Sequence, residues 1–204
     1  MLTKFISDKD AEAFLRLIDD SENIVMTCHV RPDGDALGST LGFYHLLMRM
    51  GKNAKVVIPD KAPKSLAFVP GAKELVAYSQ YKEFAETLIQ NADLIICCDF
   101  NKASRLDQLA DIILNASCKK VLVDHHLEPD NFTDLTFSFD KMSSASELTF
   151  RLIAAMGLLE MMDKEYAHKA VCGLPSKLTP TGAKRLMPEA AELYRGADGS
   201  AIRL

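Results

Sequence analysis

Short, almost wholly apolar runs alternate along this chain with stretches of helical spacing. Residues 8–20, DKDAEAFLRLIDD, set Ala11, Phe14, Leu15 and Ile18 on one helix face, and Ser7 stands where an N-cap belongs. The run IVMTCHV (24–30) fits a strand covered on both faces in a parallel sheet. Residues 36–50 predict a helix with Leu37, Leu41, Tyr44 and Leu47–Met48 on one side and Gly51 as its stop. AKVVIP (54–59) predicts a second strand, ended by Pro59. The stretch 60–80 carries Pro63, Pro70 and Gly71 and predicts loop with a short helix; 81–91 predicts a helix. LIICCDF (94–100) predicts a third strand. Leu106, Leu109, Ile112 and Ile113 predict a helix over 103–116, and KKVLVDHH (119–126) a fourth strand. LTFSF (135–139) alternates weakly, as an edge strand does. Ser144-Ala-Ser-Glu147 is a capping-box pattern opening a helix to about Met156. Strands and helices in this alternation predict an α/β fold: a doubly wound, mainly parallel sheet with helices on both faces.

The pattern changes near residue 171. The tail CGLPSKLTPTGAKRLMPEAAELYRGADGSAIRL contains three prolines and four glycines, no β-branched run, and one candidate helix at 184–195. It does not read as the next βα unit. We therefore expect one domain over 1–170 and an atypical tail over 171–204.

Composition narrows the function classes. The 204 residues are 48% hydrophobic and 25% charged, ordinary globular values. A formal net charge of −4 argues against a broad cationic surface for long duplex nucleic acid. It leaves small anionic substrates open, above all where a metal supplies positive charge. The five cysteines, Cys28, Cys97, Cys98, Cys118 and Cys172, form no CxxC pair, and three of them lie in apolar runs as small buried hydrophobes do. No signal peptide and no apolar stretch of membrane-spanning length stands out, so the expected location is cytoplasmic, without membrane association.

The chemistry gathers where strands end. The first strand runs into His29-Val-Arg-Pro-Asp33-Gly-Asp35, the third into Asp99, and the fourth into Asp124-His125-His126. Ligands of open α/β sheets bind at the carboxyl ends of strands. Each group alone has a plain explanation: Asp35 as a helix cap, Pro32-Asp33-Gly34 as a turn, Asp99 as a loop residue. Three strand ends supplying acids and imidazoles to one edge do not, because so many carboxylates repel one another unless cations neutralise them. Carboxylates with neutral imidazoles suit Mn²⁺, Mg²⁺, Zn²⁺ or Fe²⁺, and the mixed set leans toward Mn²⁺. Two ions about 3.5–4 Å apart need a bridging carboxylate, which an acid on a central strand provides.

HVRPDGDALGSTLG (29–42), the strand-end Asp99 and the Asp124-His125-His126 triplet together resemble the DHH phosphoesterases. That superfamily includes RecJ-like exonucleases, nano-RNases that also act on 3′-phosphoadenosine 5′-phosphate, cyclic-dinucleotide phosphodiesterases, exopolyphosphatases and manganese-dependent pyrophosphatases. The likeness spans roughly residues 1–170. Asn101, Arg105 and the Ser-Ser-Ala-Ser-Glu stretch at 143–147 are most similar to the nano-RNase branch. The resemblance implies a two-metal phosphoesterase acting on short RNA or small nucleotides. It implies that His29 and Asp33 hold one Mn²⁺, that Asp35 and His125 hold a second, and that Asp99 bridges them. It further implies that His126 faces the substrate phosphate or leaving group, that Asp124 orients an imidazole, and that Asn101 and Arg105 bind phosphate. Ser144 and Glu147 read as a helix cap.

Two departures qualify it. Family members carry a further metal-binding Asp after the helix that would here span about 163–170. This chain has no Asp between Asp163 and Asp198. They also continue into a second, substrate-binding domain with a Gly-Gly-Gly-His-type loop, which this sequence does not contain; His168 is not in such a loop. The expectation is a truncated member whose tail is not family sequence, as a shifted reading frame would produce. Its activity should be weak, or it should act as an inactive metal- or nucleotide-binding fragment, and an uncovered surface should favour self-association. A plain nucleotide-binding module is disfavoured, since the first βα turn lacks GxGxxG.

Overall fold

The computed structural model describes residues 5–161. Helix α1 (Asp8–Asp19) starts at Ser7, whose Oγ accepts from the Asp10 N–H at 3.1 Å. Strand β1 (Asn23–Cys28) leads to α2 (Gly34–Arg49), and Gly51, at φ 78°, turns the chain away after that helix. Then come β2 (Asn53–Ile58), β3 (Leu75–Ala77), α3 (Lys82–Gln90), β4 (Leu94–Cys98), α4 (Ala110–Asn115), β5 (Lys119–Asp124), β6 (Leu135–Ser138) and α5 (Ala145–Ala155).

All six strands pair in parallel, in the order β3-β2-β1-β4-β5-β6. The chain winds one way from β1 to β3, returns to place β4 against the other side of β1, and then winds outward through β5 and β6. The reversal opens a crevice between the carboxyl ends of β1 and β4, where doubly wound sheets bind ligands.

The strands are buried on both faces, which explains their unbroken apolar runs. Ile24, Met26 and Cys28 join one core cluster with residues of α1, α2 and α5, where Phe14 lies 5.7 Å from Phe43 and 5.5 Å from Phe137 between ring centroids. Val25, Ile95, Cys97 and Leu122 face the other cluster, with Ile89 of α3 and Ile113 of α4. The expected doubly wound architecture is therefore present, with helices on both faces. Cys28, Cys97 and Cys98 are buried free thiols, and burial pushes all three up in pKa. Among the described residues, no helix is long and apolar enough to cross a membrane.

Three local expectations change. The stretch 60–80 contains β3 as well as two 3₁₀ turns, Lys64–Leu66 and Ala72–Glu74; a three-residue edge strand leaves no periodic signature. The single helix expected over 103–116 is a 3₁₀ segment, Ala103–Leu109, followed by α4. The break falls at Asp107, at φ 50° and ψ −127°, and the Arg105 carbonyl accepts from the Val30 N–H at 2.8 Å, outside the helix. Finally, β1, β4 and β5 end earlier than their apolar runs, so His29, Asp99, His125 and His126 lie just past the ladder. The expected helix at 163–170, the absent Asp and the tail lie outside the described residues.

One stability prediction follows from the first helix. Ser7→Ala removes the N-cap acceptor and should cost about 1 kcal/mol, read as a lower urea midpoint with an unchanged slope.

Candidate metal centre

His29 follows β1 directly. Its Nδ1 lies 2.7 Å from the Val30 carbonyl, which can only accept, so Nδ1 carries hydrogen and Nε2 is left for the crevice. Nε2 stands 3.5 Å from Asp99 Oδ2 and 4.0 Å from Asp33 Oδ1. Asp33 is the N-cap of α2, accepting through Oδ1 from the N–H groups of Asp35 and Ala36 at 3.0 Å each.

Asp99 sits at φ 63°, in the left-handed region that aspartate tolerates better than most residues. Its own N–H donates to the Val123 carbonyl at 3.0 Å, so the turn leaves β4 between its two neighbours. The side chain is only 3% exposed, and its Oδ1 is buried with no hydrogen-bond partner. A second imidazole faces it: His125 Nε2 lies 3.4 Å from Asp99 Oδ1 and 3.5 Å from Asp35 Oδ2. His125 Nδ1 is turned to the Met142 carbonyl at 3.3 Å.

Asp35 reaches across from α2 to the start of α5. Its Oδ2 accepts from the Ala145 N–H at 2.9 Å and its Oδ1 from the Ser146 N–H at 2.8 Å. His126 is held differently. Arg105 Nη1, a donor only, lies 3.1 Å from Nε2, so that nitrogen accepts and Nδ1–H donates to Asp124 Oδ1 at 2.7 Å. Asp124 is fully buried and accepts from the His126 backbone N–H as well.

The electrostatics reflect this crowding. Burial and the Asp99 charge push the Asp35 carboxyl up to about 6, against the pull of the Ser146 and Ala145 donors. The Asp99 carboxylate pushes His125 up to about 9. Burial lowers His29, but hydrogen bonding to Asp99 and Val30 outweighs it and the net shift is upward. Burial raises Asp99, yet His125 and His29 outweigh it and hold the carboxyl below its usual range.

This donor set fits a divalent cation. With Nδ1–H committed to backbone carbonyls, His29 and His125 turn Nε2 toward carboxylate oxygens, and each Nε2 becomes a ligand once it has lost its proton. Separations of 3.4–4.0 Å exceed the 2.7–2.9 Å of a charge-assisted hydrogen bond. A divalent cation can take the place of the imidazole protons among these donors. Asp99 is common to two such groups, His29 with Asp33 and His125 with His126, each within ligating reach.

Of the sequence-predicted residues, the structure brings His29, Asp33, Asp35, Asp99 and His125 together around Asp99, with Asp124, His126 and Arg105 beside them. Asn101 is set apart: its amide donates to the Leu127 carbonyl at 2.7 Å, tying two loops. Ser144 caps α5 by accepting from the Glu147 N–H. Sequence reasoning missed the backbone groups that hold the ligands, namely the Met142 carbonyl and the Ala145 and Ser146 amides. The 143–147 pattern signals a helix start, but nothing in it names Asp35 as the group received.

The chain is 29% identical over 176 residues to the bifunctional oligoribonuclease and PAP phosphatase of Thermus thermophilus, covering 85% of this chain and 48% of that protein. The chain spans less than half the length of the first curated relatives it matches. Among solved structures, an exopolyphosphatase-related protein from Bacteroides fragilis aligns with a TM-score of 0.82 and 36% identity, over 97% of this chain and 55% of that one. The exonuclease RecJ bound to manganese shares the fold, at a TM-score of 0.56 and 17% identity over 95% of this chain and 48% of that one. The family described as DHH, N-terminal domain, matches residues 23–174, and the chain belongs to it.

Proposed function

We propose that this chain is the metal-holding part of a phosphoesterase that hydrolyses phosphate esters of short oligonucleotides or small nucleotides. The observation that carries the reading is the buried Asp99 carboxylate, with an unpartnered oxygen and two imidazole Nε2 atoms within 3.5 Å at the switch point of the sheet. His29, Asp33 and Asp99 would hold one divalent ion; Asp35, His125 and Asp99 would hold another, with Mn²⁺ the metal best suited to the donors. Bound there, the ions supply positive charge on phosphoryl oxygens and a lowered pKa for a water nucleophile.

The chain's own groups do the rest. Asp99 and Asp35 hold negative charge against the two imidazoles. Asp124 fixes His126 with its Nε2 toward Arg105, at the rim where a phosphate or leaving group would stand. Arg105 then has an anionic acceptor to turn to, and Arg105→Ala should raise KM for a phosphorylated dinucleotide about tenfold with a smaller change in kcat, read from initial rates. Asn101, whose amide already serves Leu127, would influence phosphate only through the loop it ties. Asp99 and His126 are the proposed catalytic pair.

The test is hydrolysis of a 5′-phosphorylated RNA dinucleotide with Mn²⁺ in the full chain. Turnover abolished by EDTA supports the reading; Mn²⁺-independent turnover, or none together with no Mn²⁺ binding, overturns it. A second reading rests on the absence of any Asp between Asp163 and Asp198. Five ligands then retain metal without productive turnover, and Mn²⁺ raises the melting temperature while no substrate is cleaved. Either way we divide the chain functionally at 170/171.

A further inference from the structure

Two of the five candidate ligands are held by one short segment. The Met142 carbonyl faces His125 Nδ1 at 3.3 Å, and the Ala145 and Ser146 amides donate to the two oxygens of Asp35. Ser146 Oγ also donates to the Asp35 backbone carbonyl, at 3.2 Å. Met142, Ser144, Ala145 and Ser146 are buried. His29 and Asp33 are supported separately from this segment: the Val30 carbonyl and the Asp35 and Ala36 amides bond their side chains, and the loop between them is tied to the Arg105 carbonyl and the Asp60 carboxylate through the Val30 and Arg31 N–H groups.

The segment has its own anchor. Glu147 is buried, and its Oε2 accepts from both the N–H and the Oγ of Ser143, at 3.2 and 2.5 Å. Its Oε1 accepts from Arg151 Nε at 2.9 Å and lies 2.7 Å from Arg151 Nη2. A helix cap needs only the Ser144 side chain, which already accepts from the Glu147 N–H. The Glu147 carboxylate is therefore an extra commitment, and what it fixes is the residue between Met142 and Ser144.

We propose that Met142–Ser146 is a positioning strap for His125 and Asp35 together, and that Glu147 is the positioning residue that pins it. This rests on the metal reading above and adds an asymmetry to it. Loosening the strap lets the Met142 carbonyl leave His125 Nδ1 and the α5 amides shift from Asp35, while His29 and Asp33 keep their own supports. Groups that orient metal ligands from outside the coordination sphere are worth about 10–100-fold in affinity.

The experiment is Mn²⁺ titration of the full chain by calorimetry, comparing wild type with Glu147→Gln and Ser143→Ala. Asp35→Asn and Asp33→Asn identify which binding event belongs to which half. Glu147→Gln keeps an acceptor but removes the charge beside Arg151. Ser143→Ala deletes one oxygen at a half-buried position, so it tests the strap even where the first variant folds poorly. We expect both to weaken the event that Asp35→Asn weakens by about tenfold or more, and to leave the event that Asp33→Asn weakens within about twofold. A merely structural role lowers the melting temperature without splitting the two affinities. Unchanged affinities in Ser143→Ala and Glu147→Gln, or an equal loss at both events, overturn the strap. Wild type that takes up no Mn²⁺ overturns the metal reading itself, and the two failures are thus told apart.

Discussion

Asp99→Asn should reduce Mn²⁺ affinity by more than about 100-fold and abolish metal-dependent hydrolysis of a 5′-phosphorylated dinucleotide. Changes outside the coordination sphere alone cost about 10–100-fold, and this one alters the carboxylate proposed to serve both ions. The substitution is nearly isosteric, so it changes charge and hydrogen-bond character rather than packing. Asp99 faces His29 through Oδ2 and His125 through Oδ1. An amide keeps one acceptor for these two sides and presents N–H donors to the other. Both halves of the centre are therefore impaired at once, whereas Asp33→Asn and Asp35→Asn each impair one. Calorimetry with Mn²⁺ and a melting curve check the outcome. Loss of binding with a retained cooperative transition is expected; full Mn²⁺ affinity in the variant would remove Asp99 from the site.

The affinity for Mn²⁺ should rise steeply with pH. In the metal-free protein the Asp99 carboxylate pushes His125 up to about 9, so a proton must leave before that imidazole can ligate below this pH. One proton displaced corresponds to up to about tenfold in affinity per pH unit. Asp35, pushed up to about 6 by burial and the Asp99 charge, adds a second proton below that pH, and the dependence steepens toward about 100-fold per unit. Between pH 5.5 and 8 the apparent affinity should change by more than about a thousandfold. Calorimetry in buffers of different ionisation enthalpy counts the protons released. The same groups set the stability of the metal-free protein with the opposite trend. Both folded pKa values lie above the ordinary ones, so folding is favoured at low pH. That contribution is lost as pH rises through about 6 for Asp35 and about 9 for His125. The melting temperature without metal should fall by about 10 °C over pH 5–9, and the rise caused by Mn²⁺ should grow over the same range. A flat metal affinity from pH 5.5 to 8 would mean that neither group titrates on binding.

The buried strands were legible because a parallel sheet covered on both faces writes continuous apolar runs, as LIICC (94–98) and VLV (121–123) do. The candidate site residues stood out in the sequence because each follows such a run within a few positions. What the pattern hid was irregular backbone. Asp107 at φ 50° breaks a stretch whose leucines and isoleucines keep helical spacing, since core-facing side chains recur at similar intervals in a 3₁₀ turn and in an α-helix. The three residues of β3 carry too little period to be distinguished from loop. The grip on Asp35 was hidden for another reason: its donors are main-chain amides more than a hundred positions away, and backbone groups leave no residue type to read.

The order of the strands has a consequence for synthesis. β4 lies between β1 and β5, with Cys28 opposite Cys98 in register. On a ribosome adding about 5–20 residues per second, β1 waits several seconds for the strand that covers its second edge. During that interval β1 can pair only with β2, and an apolar, unpaired strand is open to neighbouring nascent chains. His29, Asp33 and Asp35 emerge in the same early window, before Asp99 or His125 exists. The residues of the proposed centre therefore come together only after β4 and β5 have joined the sheet.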